Sequence, residues 1–297
     1  MTETTRGSIE MTIAMTLMGT IGWFVVMSGQ PAIDVVFWRC LFGALALTVI
    51  CAGMGLFKGQ VTKGQIGLAA LGGVAIVLNW LLLFSAFPRA SISISTVVYN
   101  TQPFMLLVFG AIFFGEKLTI RKIGLLGVAF VGVIAITQNR PDAVYVGTDY
   151  LTGILLALGA AFLWAVAAVI TKKLTGMRPH LITLIQVSVG VVMLAPFVGF
   201  TDLPTDYQSW LMLAGMGVIH TGLLYILMYG AIQKLPTHLQ GALSFVYPVS
   251  AITIDAIAFG VTLAPIQLSG MAAVLFAAMG MTLGWGAPGL TRANVER

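Results

Sequence analysis

Long apolar runs, separated by short polar or proline-bearing gaps, organise this chain. The runs cover residues 9–28, 33–55, 64–87, 91–114, 120–138, 151–171, 180–200, 209–232, 238–259 and 265–286. Each is close to the roughly 20 apolar residues that an α-helix needs to cross a bilayer. The gaps hold Pro31, Lys58 and Lys63, Pro88-Arg89, Gly115-Glu116-Lys117, Asn139-Arg140-Pro141, Pro179, Asp202 to Asp206, Pro236 and Pro265. The runs are unbroken rather than alternating, which argues against a β-barrel. The pattern predicts an all-α polytopic membrane protein with ten transmembrane helices.

Composition removes whole function classes. A length of 297 residues would fit two soluble domains, but 59% of the residues are hydrophobic and only 8% charged. Soluble domains carry about 25% charged residues, so a soluble enzyme or nucleic-acid binder is excluded. The net charge of +5 is therefore read by position along the membrane. With the N-terminus in the cytoplasm, inside segments hold Arg6, Lys58, Lys63, Lys117, Arg121, Lys122, Lys172, Lys173, Arg178, Lys234, Arg292 and Arg297. Outside segments hold only Arg89 and Arg140, and Arg39 falls within a run. This bias places both termini inside and favours an even number of crossings. Cys40 and Cys51 sit on one predicted helix roughly 16 Å apart, too far for a disulfide.

The chain also repeats itself. Trp80 to Gly115 matches Tyr225 to Gly260 at a constant offset of 145, aligning Ala86 with Ala231, Pro103 with Pro248 and Gly115 with Gly260. Five helices per half is odd, so the second half enters the membrane inverted. The expected units are residues 1–140 and 141–297, two inverted five-helix repeats. Inverted repeats are a transporter signature, because exchanging the conformations of the halves exchanges inward and outward access.

These residues resemble the drug/metabolite transporter superfamily of EamA type. The likeness rests on Phe37-Trp38-Arg39, on Ala86 and Ser91 leading to Pro103, and on Gly115-Glu116-Lys117-Leu118-Thr119 with Gly124. It continues through Tyr225, Ala231, Leu235-Pro236, Tyr247-Pro248 and Gly270. Within that superfamily the chain is most similar to aromatic amino acid exporters of the YddG type. That resemblance implies export of amino acids across the bacterial inner membrane. One departure stands out: Val261 occupies the position matching Glu116.

The candidate passage collects polar and aromatic groups away from lipid. Pro103 and Pro248 lie well inside the fourth and ninth helices. Each proline loosens the carbonyl four residues earlier, at Tyr99 and Ser244. Ser95, Thr96 and Tyr99 share a face with Pro103, and Gln240, Ser244 and Tyr247 share one with Pro248. The expectation is that these faces meet across a central cavity; the alternative is two kinks that serve packing alone. Asn79, Trp80, His220, Tyr225, Trp23 and Trp164 join the substrate-binding set, since rings stack on flat solutes and hold an ammonium. Arg39 and Asp255 reach matching depths near the outer end. They form either a buried pair or two separate groups, Arg39 snorkelling and Asp255 wetted. Glu116 is placed at the cytoplasmic end as a structural or gating ion pair with Lys117 and Arg121.

The expected passage is thus uncharged and ring-lined, suiting neutral or zwitterionic solutes better than phosphorylated ones. Proton-coupled transport generally uses membrane-embedded Asp, Glu or His, and only Asp255 and His220 qualify, so a facilitated carrier is favoured over proton antiport. Export of lipophilic drugs by antiport is the alternative within transporters, and a channel the alternative outside them. No nucleophile set, metal cluster or phosphate loop marks an enzyme, and no cofactor or metal is expected. The expected partners are a small-molecule substrate and the lipid bilayer, with a functional monomer. Cysteine substitutions at Lys63 and Lys173 are expected to react with an impermeant label only from the cytoplasmic side. Labelling from opposite sides removes the inverted-repeat topology.

Overall fold

The computed structural model describes residues 2–58, 61–102, 104–105, 108–109, 112, 119–137, 147, 149–174, 176–201, 203–235, 243, 246–283 and 285. The regular elements among them are helical. In chain order they are α1 (Glu3–Met27), α2 (Ala32–Gly53), α3 (Lys63–Ala90), α4 (Ile92–Tyr99), α5 (Ile120–Thr137) and α6 (Tyr150–Lys172). Then come α7 (Pro179–Leu194), α8 (Tyr207–Gly217), α9 (Leu224–Lys234), α10 (Val246–Phe259) and α11 (Pro265–Thr282). A π-helical turn, Val218–Leu223, joins α8 to α9. Six helices among the described residues are long and apolar enough to cross a bilayer, and α10 and α11 are shorter apolar ones. Outward-facing side chains such as Val49, Phe130, Val192 and Ile257 are apolar and exposed, while Arg39, Asn79, His220 and Asp255 are buried. Polar inside and apolar outside is the arrangement that lipid demands.

Local chemistry sets several helix ends. Thr62 and Gln65 form a reciprocal capping box at the start of α3, satisfying two amide groups that no helical carbonyl reaches. Asp206 caps α8 by accepting from the Ser209 backbone N–H at 2.7 Å, and that bond holds its carboxyl below the usual carboxylate range. The gap expected at Pro88-Arg89 is displaced. Helix α3 runs through Pro88 to Ala90, and the turn falls on Ser91, a non-glycine residue at φ 73°. The proline lies in the last turn, so the helix forfeits one bond and then ends. The Pro88 carbonyl accepts instead from the Gly147 N–H at 2.6 Å. Ser91 Oγ then caps α4 by accepting from the Ile94 N–H at 3.2 Å.

Side chains tie the helix ends together. At one end Lys234 Nζ, finishing α9, binds Glu10 of α1 at 2.6 Å, and Arg6 lies 3.0 Å from the same carboxylate. At the other, Ser209 Oγ at the head of α8 donates to the Ser28 carbonyl beyond α1 at 2.9 Å. Gly22, near the tail of α1, lies against Ile92 at the head of α4. Arg89 sits 3.9 Å from Asp149, and Tyr150 Oη donates to the Ile136 carbonyl at 2.8 Å. Helices α1 and α6 therefore begin at opposite ends.

The helix pairings are symmetric. Helix α1 lies on α9 and α10, as α6 lies on α3 and α4; α2 and α3 share α7 and α2 also meets α8; α4 meets α10 and α5 meets α11. Exchanging α1–α5 with α6–α11, with α8 and α9 taken as one rod, maps this set onto itself. Two close approaches follow the same rule: Gly73 of α3 seats on Gln186 of α7, and Gly217 of α8 seats on Phe42 and Gly43 of α2. Small residues allow such backbone proximity in lipid. A side chain at Gly217 meets backbone atoms of α2 rather than a movable side-chain tip. Gly217→Val is expected to lower stability in detergent by about 1–3 kcal/mol. Gly124→Ala, where a Cβ meets nothing, is expected to leave the melting temperature unchanged or higher, read in the same thermal scan.

Candidate functional site

Arg39 sits in the upper third of α2 with only 3% of its surface exposed. It is neither snorkelled outward nor in an ion pair with Asp255. Its guanidinium lies 4.1 Å from the Trp80 ring centroid and 5.7 Å from that of Phe84, both on α3. Its Nε donates to Thr221 Oγ1 at 3.2 Å. Gly43, one turn down α2, explains how Thr221 comes so close, because the threonine methyl occupies the space a Cβ there would need. Tyr99, Tyr225 and Tyr247 all stand within electrostatic reach of the same guanidinium. The expectation of an uncharged lining is corrected here: a cation sits among the expected aromatic residues. Depth along one helix is readable from sequence, but the reach of a long side chain towards its neighbours is not.

The aromatic frame is built from both halves. Asn79 precedes Trp80 on α3 and is fully buried. Its Nδ2 donates to Tyr99 Oη of α4 at 3.1 Å and to the Ala160 carbonyl of α6 at 2.6 Å. One amide thus fixes the tyrosine hydroxyl and two helix contacts. Tyr247 and Pro248 lie on α10, with Tyr247 beside Thr96 of α4. Ser95 is buried, and its Oγ makes no hydrogen bond among the described residues. Helix α4 stops at Tyr99, where the Thr101 N–H turns back to the Val98 carbonyl at 3.1 Å. Pro103, Ser244 and Glu116 lie outside the described residues.

His220 and Thr221 occupy the π-helical turn. Thr221 Oγ1 donates to the Met216 carbonyl five residues back at 3.2 Å, which frees its lone pairs for Arg39. His220 Nε2 and Thr20 Oγ1 of α1 are 2.7 Å apart, and the imidazole stands edge-on to Phe24 at 4.6 Å. Trp23 contacts Phe24 at 5.2 Å in turn and remains partly buried. Trp164 is partly buried against the central apolar cluster. These two tryptophans make no direct contact with the guanidinium among the described residues. Sequence reading missed Thr20 and the π-helical insertion, although extra residues of this kind recur at functional sites. Asp255, fully buried, accepts from the Ser93 backbone N–H at 2.7 Å. It holds the head of α4 from α10, a role that periodicity does not signal. A cavity of about 440 Å³ lies elsewhere, bounded by Met54, Leu56, Met177 and Arg178.

The model of the EamA-like transporter family matches residues 5–138 and 151–283. The chain belongs to the EamA-like transporter family. It is a multi-pass membrane transporter and not an enzyme. An uncharacterized transporter of Bacillus subtilis, YxxF, is 30% identical over 284 residues, spanning 93% of this chain and 88% of its own length. A probable amino-acid metabolite efflux pump of Salmonella typhimurium is 23% identical over 61% of this chain and 64% of its own length. The threonine/homoserine exporter RhtA of Escherichia coli is 29% identical over 45% of this chain and 46% of its own length. A crystal structure with 15% identity superposes at a TM-score of 0.62, covering 94% of this chain and 97% of that one; the likeness is one of fold alone.

Asp255→Ala uncovers an amide at the head of α4 and is expected to cost about 0.5–2 kcal/mol. Asp255→Asn, which keeps an acceptor, is expected to cost less in the same thermal unfolding series. The exchange Arg39→Asp with Asp255→Arg is expected not to restore transport lost in either single variant, because the two side chains serve different partners. Rescue overturns that assignment.

Proposed function

We propose that this protein exports amino acids, aromatic and other neutral ones, across the bacterial inner membrane by alternating access. The observation that carries the reading is the shared frame around Arg39, with Trp80 and Tyr99 from the first half and Tyr225 and Tyr247 from the second. A binding site formed where two halves meet changes its exposure when those halves rock against each other. The repeats are residues 1–140 and 141–297, with ten crossings and both termini cytoplasmic. The exchange symmetry of the helix pairings and the two separate stretches matched by the family model support this division. The unit works as a monomer, since one chain supplies both halves.

The amino acid assignment draws support from the printed functions of the Salmonella and Escherichia relatives. The site's chemistry agrees: rings for an apolar side chain and hydrogen-bonding groups for the backbone end of the cargo. The carrier runs down the gradient of its substrate, because buried titratable groups are few and Asp255 is engaged with the head of α4.

Purified protein in liposomes loaded with L-phenylalanine or L-threonine is expected to give saturable counterflow of the labelled amino acid without a pH gradient. A strict need for a pH gradient reassigns the mechanism to proton antiport through His220 or Asp255. Flux of lipophilic cations without any amino acid flux replaces the substrate class, and unitary currents in planar bilayers replace the carrier by a channel.

A further inference from the structure

We propose that Arg39 is the carboxylate anchor of the transport site, so that the protein selects solutes carrying a free carboxylate. The inference deepens the amino acid reading and rests on it for the identity of the cargo's other groups. A guanidinium does not discharge itself by losing a proton inside a protein. Arg39 is 3% exposed and thus holds a full positive charge away from water. A buried charge is stable only when other groups solvate it. The groups at hand are neutral: one threonine oxygen on Nε and two aromatic faces. Ion pairs among the described residues include Arg6 with Glu10, Arg89 with Asp149 and Lys234 with Glu10, and Arg39 is in none of these.

The geometry says how the anion would bind. Nε is engaged by Thr221, while among the described residues neither terminal nitrogen makes a hydrogen bond. These two nitrogens form the planar fork that a carboxylate matches with two parallel bonds. Trp80 beneath the guanidinium and Thr221 at its Nε fix the plane of that fork. Trp80 and Phe84 lie 4.1 and 5.7 Å from the guanidinium, and Tyr99, Tyr225 and Tyr247 are within its electrostatic reach, so the anchor has aromatic neighbours from both halves. A single cation among neutral hydroxyls fits a monocarboxylate better than a phosphate, which carries more charge than one guanidinium offsets. Arg39 thus supplies the discrimination that rings alone lack, since rings accept an amine or a neutral aromatic solute as readily as an amino acid.

The test compares three solutes that share one ring: L-phenylalanine, L-phenylalaninamide, which lacks the carboxylate, and 3-phenylpropionate, which lacks the amine. Each competes for labelled phenylalanine counterflow in liposomes holding the unaltered protein. The amide is expected to compete about 10- to 100-fold more weakly than the amino acid, the range for losing charge-assisted hydrogen bonds. Arg39→Gln is expected to raise KM for phenylalanine by a similar factor and to bring the ratio between acid and amide close to one. Arg39→Lys is expected to keep part of the preference. An amide that competes as well as phenylalanine on the unaltered protein overturns the anchor and leaves the amino acid reading standing. Arg39→Gln protein that still prefers the acid overturns it as well. Saturable counterflow of labelled 3-phenylpropionate, with none of labelled phenylalanine, supports the anchor and overturns the amino acid reading.

Discussion

A charge in the interior of a membrane-spanning bundle has to be solvated by the protein, and the need to solvate Arg39 organises the helices around it. Thr221 reaches Nε because the π-helical turn rotates it towards α2 and because Gly43 leaves room for its methyl group. Trp80 lies under the guanidinium because α3 is held at that height by Asn79, whose amide bonds to α4 and α6. Helices α2, α3, α4, α6 and the α8–α9 rod are thereby tied to one point. Removing any of these ties leaves a buried polar group without its partner, which is more damaging than never having had it.

The second constraint is backbone proximity. In lipid, apolar side chains gain little from meeting each other, so close packing of small residues carries much of the cohesion. Gly73 on Gln186 and Gly217 on Phe42 and Gly43 are related by exchange of the halves, and Gly132 and Gly270 press on each other between α5 and α11. These contacts are smooth surfaces rather than interlocked side chains. Helices that meet through them can slide or rock without breaking hydrogen bonds, as the proposed alternating access requires.

Much of this was legible in the sequence. Apolar run length anticipated the all-helical, membrane-type character of the described elements, because it depends only on local composition. The site was less legible. Trp80, Tyr99, Tyr225 and Tyr247 were singled out by repeat position and residue type. Arg39 was placed by depth alone, as either a partner of Asp255 or a snorkelling group, because nothing in a linear chain says which helix lies beside α2. The π-helical turn left no mark in the hydrophobic pattern, since one additional residue per turn hardly disturbs a run that is apolar on every face. Pro88 was read as a gap although the positive φ at Ser91 makes the turn; proline is a strong local signal and a strained serine is none. Sequence leaves Asp255 either half of a charge pair or a separate wetted group, and neither alternative anticipates the backbone amide that it accepts from.

The two halves agree in their main helix pairings and differ in polar detail. Asp255 ties α10 to the head of α4, but 145 residues earlier the chain has Gly110, which offers no side chain for an equivalent tie. Val261 likewise stands opposite Glu116 in the repeat. In a carrier whose halves were identical, the inward-open and outward-open states would have equal energy. Side chains present in one half only stabilise one state over the other, and about 1.4 kcal/mol of such bias is a tenfold change in population. The tie between Asp255 and Ser93 joins the C-terminal half of α10 to the head of α4, at the end where Arg89 and Asp149 also meet. Under the proposed alternating access, this tie favours whichever state keeps those two helix ends together, and an unsymmetric carboxylate shifts the balance between states.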